Sequence, residues 1–161
     1  MTEVVVDTGI FIHLQEIGHL NTLKLFKIVI PMSVKEEVEN YFVFEKISSG
    51  FDIKVYNLEI EEKNESEAIA KKYDIQKADA EALVLSKRLK TMLLTDDWDL
   101  RETANIYEIE VHGTIGVLFK AYTKKIVKKN ELEKALKSIP QRSSLYISSK
   151  IIEECLSFLR K

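Results

Sequence analysis

The chain has one cysteine, Cys155, so no intrachain disulfide can staple it. That cysteine sits among Ile151, Ile152, Leu156 and Leu159 at helical spacing, which suits a buried structural thiol rather than a nucleophile. Only 5 glycines and 2 prolines occur in 161 residues, which excludes collagen-like and low-complexity chains. No apolar run approaches the roughly 20 residues that a membrane-crossing helix needs. The start, Met1-Thr2-Glu3, lacks the basic stretch of a secretory leader, and Asp7 interrupts the first apolar run. A soluble, cytoplasmic protein without membrane contact is the expectation. Positive charge is not in surplus either. The formal net charge is −2, so any nucleic-acid binding has to come from a local basic face. The 3 histidines, His13, His19 and His112, show no metal-ligand spacing. A glycine-rich phosphate loop, a G-x-S-x-G elbow and a paired C-x-x-C are all missing.

What remains is an ordered globular chain, 45% hydrophobic and 31% charged. A chain of this length makes one ordinary domain, expected to span residues 1–161, and buries roughly 70% of its unfolded surface. Val4-Val5-Val6 reads as a buried strand, followed by helical spacing from Gly9 to Leu14. Ile28-Val29-Ile30 reads as a second strand, ended by Pro31 in the first turn of a helix running from Ser33 to Ile47. Ile53 to Tyr56 alternates as an edge strand. Helices follow over Glu61–Tyr73 and Lys77–Lys90, and Met92 to Thr95 forms a further central strand. Leu100–Tyr107 is helical, and Glu108–Val111 is a short strand. Three more helical patterns close the chain, Ile115–Tyr122, Leu132–Ile139 and Ile147–Leu159, the last two packing on the same domain from about residue 129. Strands alternating with helices predict an α/β/α three-layer domain around a mainly parallel sheet.

In such sheets function gathers at the carboxyl ends of the strands. Asp7 directly follows the first strand, and Asp96-Asp97 directly follow the strand ending at Thr95. Each alone suits a helix cap, and Asp96 with Asp99 has the spacing of one. Two acidic spots at one sheet edge repel unless a cation lies between them, and a hard divalent ion with oxygen ligands is the simplest. In the helix after Pro31, Val34, Val38, Tyr41 and Phe42 make an apolar stripe. Glu37 borders it, whereas Glu36 faces water. In the next relevant helix Asp79 and Glu81 flank the stripe of Ala78, Ala82, Leu85 and Leu89 on opposite sides, and periodicity does not choose between them.

The order Val-Val-Val-Asp7-Thr8, Ile30-Pro31-x-x-Val34-x-x-Glu37-Val38, Ala78-Asp79-Ala80-Glu81-Ala82 and Leu94-Thr95-Asp96-Asp97 resembles the PIN domain of ribonucleases. The segment from Leu93 to Ala104, with Val111 to Leu118, is similar to a prokaryotic branch related to the VapC-type toxins, and the likeness runs on through Arg142 to Ile147. The resemblance implies a parallel sheet of four or five strands between helices, and a ring of acids binding Mg²⁺ or Mn²⁺. Carried over by position, the acids are Asp7, Glu37, Asp79 and Asp97, with Thr8, Thr95, Asp96 and Glu81 in support. Asp96 is expected to cap the following helix, and Thr95 to hold a metal-bound water. One position departs: the branch usually has Gly-Glu where Ala78-Asp79 stands here, a carboxylate shorter by one methylene.

The implied activity is metal-dependent hydrolysis of RNA, with Lys77 and Arg101 beside the acids and Lys124, Lys125, Lys128 and Lys129 as a basic patch for RNA. An antitoxin protein and a homodimer are the partners the resemblance suggests. The alternative is a non-catalytic PIN domain that binds RNA or protein. A haloacid-dehalogenase-type phosphatase is disfavoured, because Gly9 stands where its second aspartate belongs.

Overall fold

The computed structural model describes residues 1–42 and 44–161. Five strands form one sheet: β1 (Thr2–Val6), β2 (Phe26–Pro31), β3 (Ile53–Tyr56), β4 (Met92–Leu94) and β5 (Val111–His112). Their order is β3-β2-β1-β4-β5, and every pairing is parallel. Parallel strands covered on both faces need near-continuous apolar sequence. Val4, Val5 and Val6 meet that requirement, as do Ile28 to Ile30 and Leu93-Leu94, all buried.

The helices are α1 (Thr8–Glu16), α2 (Met32–Val38), α3 (Phe44–Ser48), α4 (Ile60–Tyr73), α5 (Lys77–Leu89), α6 (Trp98–Ile106), α7 (Thr114–Thr123), α8 (Lys129–Arg142) and α9 (Ser149–Arg160), with a 3-10 helix at Leu20–Leu25. The core runs from Phe11, Leu14 and Ile30 through Leu83 and Leu85 to Leu118. Leu132, Leu136, Ile139, Ile152 and Leu156 extend it into α8 and α9. Among the described residues no helix is long and apolar enough to cross a membrane.

The chain goes from β1 outward to β2 and β3, then returns to the other side of β1 for β4 and β5. The order therefore reverses between β1 and β4, and adjoining loops part there to leave a crevice at the carboxyl ends. The Asp7 amide, donating to the Leu94 carbonyl at 2.9 Å, ties the two strand ends together beneath that crevice.

Several sequence expectations change in detail. The strand predicted over Glu108–Val111 is instead Val111–His112, because Glu108 takes a left-handed turn conformation, φ 58°, that breaks extended backbone. The helix predicted from Ser33 to Ile47 ends at Val38, and a second short helix starts at Phe44; Val43, within the predicted span, lies outside the described residues. After Val38 the amides of Asn40 and Tyr41 reach back only three residues, to Glu37 and Val38, which tightens and ends the helix. Tyr41, expected in the buried stripe, is thereby turned out to solvent. The predicted helix from Ile147 starts instead at Ser149, because the Ser148 side chain caps it by accepting from the Ile151 amide. Residues 143–148 are a loop.

Candidate active site

A cleft of about 650 Å³ opens at the switch point between β1 and β4. Seven carboxylates line it, Asp7, Glu37, Asp74, Asp79, Asp96, Asp97 and Asp99, and no lysine or arginine does so among the described residues. The four acids singled out by sequence all belong to it. They arrive from four separate elements: Asp7 caps α1, Glu37 lies in α2, Asp79 in the first turn of α5, and Asp97 caps α6.

Asp7 is 6% exposed. Its Oδ1 accepts from the Thr8 amide at 2.9 Å and its Oδ2 from the Thr95 hydroxyl at 2.8 Å. Burial nevertheless pushes its pKa from the ordinary 3.8 up to about 6, with Asp97 and Glu37 adding repulsion against those two hydrogen bonds. Asp79 goes higher, to about 7, through burial first and then the charges of Asp7, Asp97 and Glu37. Burial also raises Glu37. The carboxylates thus sense each other across the cleft.

The helix at Asp79 resolves the pair left open by periodicity. Residues two apart on a helix point about 200° from one another. Asp79 faces the cleft, whereas Glu81 is buried outside its lining. Thr95 ties two of the acids together: its hydroxyl donates to Asp7, and its oxygen accepts the Asp97 amide at 3.1 Å.

Asp96 does not cap α6. That role falls to Asp97, whose Oδ1 accepts the Leu100 amide at 2.9 Å. Asp96 instead crosses the sheet edge. Its Oδ1 accepts the Thr114 amide at 2.8 Å, and its Oδ2 accepts the Thr114 hydroxyl and, at 2.7 Å, His13 Nδ1. A carboxylate there fixes the proton on Nδ1 and leaves the other ring nitrogen without a proton while the ring is neutral. The capping spacing in sequence gave no hint of a bond between residues 83 positions apart. Gly113 is what lets Asp96 approach: a Cβ there would stand 2.5 Å from Asp96 Oδ1 and 3.0 Å from Arg101 Nη2.

The basic residues fall elsewhere. Lys77 is exposed and outside the cleft lining, and Arg101 reaches the Thr95 carbonyl at 3.4 Å from a neighbouring groove. Lys124 lines a hollow with Met1, Thr2, Lys24 and Lys120, at the amino end of β1. Lys125, Lys128 and Lys129 follow the far end of α7 and begin α8, so the whole basic run lies at the sheet edge opposite Asp7. A helix that starts at one edge of a sheet and spans it delivers its last residues to the other edge.

Aromatic side chains occupy the rim and went unnoticed in the sequence. Tyr41, Trp98 and Tyr146 line the cleft while 64%, 69% and 90% exposed.

Oxygen-only donors suit a hard divalent cation. The Thr8 hydroxyl, buried beside Asp7 without a hydrogen-bond partner, is a further oxygen free to meet such an ion or its water. Among the described residues no three His, Cys, Asp or Glu side chains stand close enough to enclose an ion by themselves. Repelling carboxylates spread, and an ion of the Mg²⁺ type keeps several waters and needs only one or two direct carboxylates, so the donor set fits a hydrated cation.

The fold has counterparts among solved structures. A PilT N-terminus domain protein, SSO1118, from the hyperthermophilic archaeon Sulfolobus solfataricus P2 superposes with a TM-score of 0.55 at 16% identity, over 74% of this chain and 93% of its own. PAE2754 from Pyrobaculum aerophilum gives 0.57 at 16% identity, over 76% of this chain and 90% of its own. At such identities the likeness is one of fold. No curated protein matches the chain in sequence. A family model described as a PIN domain matches residues 3–161. The chain belongs to the PIN-domain family.

Proposed function

We propose that this PIN domain is an endoribonuclease that hydrolyses RNA phosphodiester bonds with Mg²⁺ or Mn²⁺ held by Asp7, Glu37, Asp79 and Asp97. The observation that carries the reading is Asp7: a carboxyl buried at the switch point, kept there by two hydrogen bonds although burial and two neighbouring acids oppose its charge. A fold keeps so costly a group where its charge has a use. When bound, the ion supplies Lewis acidity toward a phosphate oxygen and a water of lowered pKa.

The protein's own groups supply position. The Thr8 amide and Thr95 hydroxyl fix both oxygens of Asp7. Thr95 couples Asp7 to the Asp97 backbone, so one side chain positions both acids. Asp79 in α5 and Glu37 in α2 add two carboxyls whose raised pKa a bound cation would bring back down. His13 lines the same cleft as the acids, and its second ring nitrogen is not used by Asp96.

The spread of the acids favours, as a second reading, a PIN domain that binds RNA or protein without cutting. Structured RNA incubated with Mg²⁺, Mn²⁺ or EDTA decides between the two. Cleavage with either metal that vanishes in EDTA and in Asp7→Asn supports the ribonuclease. Binding without cleavage across many RNAs supports the second reading, and cleavage persisting in EDTA overturns the metal site. The cellular setting proposed is that of a cytoplasmic toxin with an antitoxin partner, acting as a homodimer. Co-purification with the product of an adjacent short reading frame tests it.

A further inference from the structure

The acidic cleft poses a difficulty for any polyanion. Phosphates approaching seven carboxylates meet no lysine or arginine there among the described residues, and the basic run at residues 124–129 lies at the opposite sheet edge. A bound cation offsets part of that repulsion at one phosphate. The flanking nucleotides need a grip that does not rely on charge.

The rim supplies one. Trp98 and Tyr146 line both the acidic cleft and a second groove of about 420 Å³, as do Asp96 and Leu145, so the two exposed rings stand on the ridge between them. That groove is mostly apolar and carries Arg101 and His112. Single exposed apolar side chains are ordinary, but aromatics standing together on one ridge beside a cleft are not. They add little to the core: Trp98 is 69% and Tyr146 90% exposed.

Tyr146 is nonetheless held. Three donors of the preceding residues, the Ser144 amide at 2.8 Å, its hydroxyl at 2.9 Å and the Ser143 hydroxyl at 3.2 Å, converge on Glu16 Oε1 at the end of α1. The Leu145 amide then bonds Ser143 Oγ at 3.0 Å. Trp98 is held by its place as the first residue of α6, next to the Asp97 cap. A solvent-facing ring on a tethered backbone is presented rather than merely left over. Every base offers a π-face to such rings, and only an unpaired strand leaves those faces open.

We propose that Trp98 and Tyr146 are a stacking ridge for unpaired bases, over which single-stranded RNA passes from the acidic cleft to the groove beside Arg101. This rests on the ribonuclease reading for the identity of the ligand and uses side chains which that reading does not. Arg101, in the groove beyond the ridge, meets a phosphate there with Asp96 as the one carboxylate beside it among the described residues. Duplex RNA is excluded, since its bases are stacked on one another.

Trp98 is the only tryptophan in the chain, so intrinsic fluorescence reports on the ridge directly. The test uses the full-length protein in the Asp7→Asn background with Mg²⁺ present, which removes one negative charge from the cleft and prevents cleavage on the nuclease reading. A short single-stranded oligoribonucleotide, its duplex form and buffer alone are titrated while tryptophan emission and oligonucleotide anisotropy are followed. Quenching by the single strand and not by the duplex is expected. Trp98→Ala and Tyr146→Ala should each weaken binding about five- to a hundred-fold, the range for one stacked base. Tyr146→Phe should restore it, because the ring face and not the hydroxyl is used. Both side chains are exposed, so an unchanged melting temperature confirms that these variants fold.

The inference is overturned if the single strand leaves tryptophan emission unchanged, or if both alanine variants bind as before. It is also overturned if Trp98→Ala dissociates an oligomer and leaves RNA affinity intact, which would make the ridge a protein interface. Quenching without cleavage in the parent chain would sink the nuclease reading and leave the ridge standing. Cleavage with a KM unmoved by Tyr146→Ala would do the reverse.

Discussion

Replacing Asp7 by asparagine should stabilise the metal-free protein above neutral pH and not below pH 4. The side chain is nearly fully buried, and its pKa rises from the ordinary 3.8 to about 6. Below pH 3.8 both folded and unfolded chains are protonated at this residue, and no penalty exists. Between 3.8 and about 6 the unfolded chain releases the proton while the folded one keeps it, so stability falls as pH rises. Above about 6 the whole penalty is present. A shift of about two units at about 1.4 kcal/mol each gives about 3 kcal/mol. Asparagine is neutral at every pH and escapes this. It still accepts the Thr8 amide, but the Thr95 hydroxyl loses its charged acceptor, a loss of about 1 kcal/mol. The net gain at about pH 8 is about 2 kcal/mol, or about 4–8 °C in Tm for a chain of this size. Asp79 shares the same repulsion, so its own penalty overlaps with that of Asp7 and does not simply add. Urea unfolding of both proteins in EDTA from about pH 4 to 8 measures the difference. Saturating Mg²⁺ should then raise the parent and erase much of the mutant's lead, as ligand binding to the folded state alone requires. A difference flat across this pH range, or an asparagine variant less stable at about pH 8, would refute the assignment of Asp7 as a strained, buried carboxyl.

Asp97 has two roles that two substitutions separate. Asparagine caps helices as well as aspartate does, so Asp97→Asn should leave the melting temperature near that of the parent while cleavage is lost. Asp97→Ala should in addition lose about 0.5–2 kcal/mol from the α6 cap, as read by thermal unfolding. Gly113→Ala should cost about 1–3 kcal/mol, because its methyl lands on Asp96 and Arg101 in a well-packed edge. The displaced Asp96 should also release His13, which NMR of the imidazole would register as a shifted resonance.

The strands were legible because parallel sheets demand unbroken β-branched and aliphatic runs, and Val4 to Val6, Ile28 to Ile30 and Met92 to Leu94 have them. The positions of Asp7 and Asp97 after such runs, and the side of α2 on which Glu37 lies, follow from strand and helix periodicity alone. Periodicity stops at the single element, however. It left Asp79 and Glu81 equivalent, and only the docking of α5 against the cleft separates them. Asp96 looked like a cap because capping is a local pattern. Its bonds to His13 and Thr114 join α1, β4 and α7, and no local pattern encodes them. The basic residues show the same limit from the other side: their clustering is written in the sequence, but α7 carries them across the sheet to the edge away from the acids. Which residues are acidic, buried or β-forming is a property of each segment. Which of them face one another is set by the strand order, since the reversal between β1 and β4 opens the crevice that collects them.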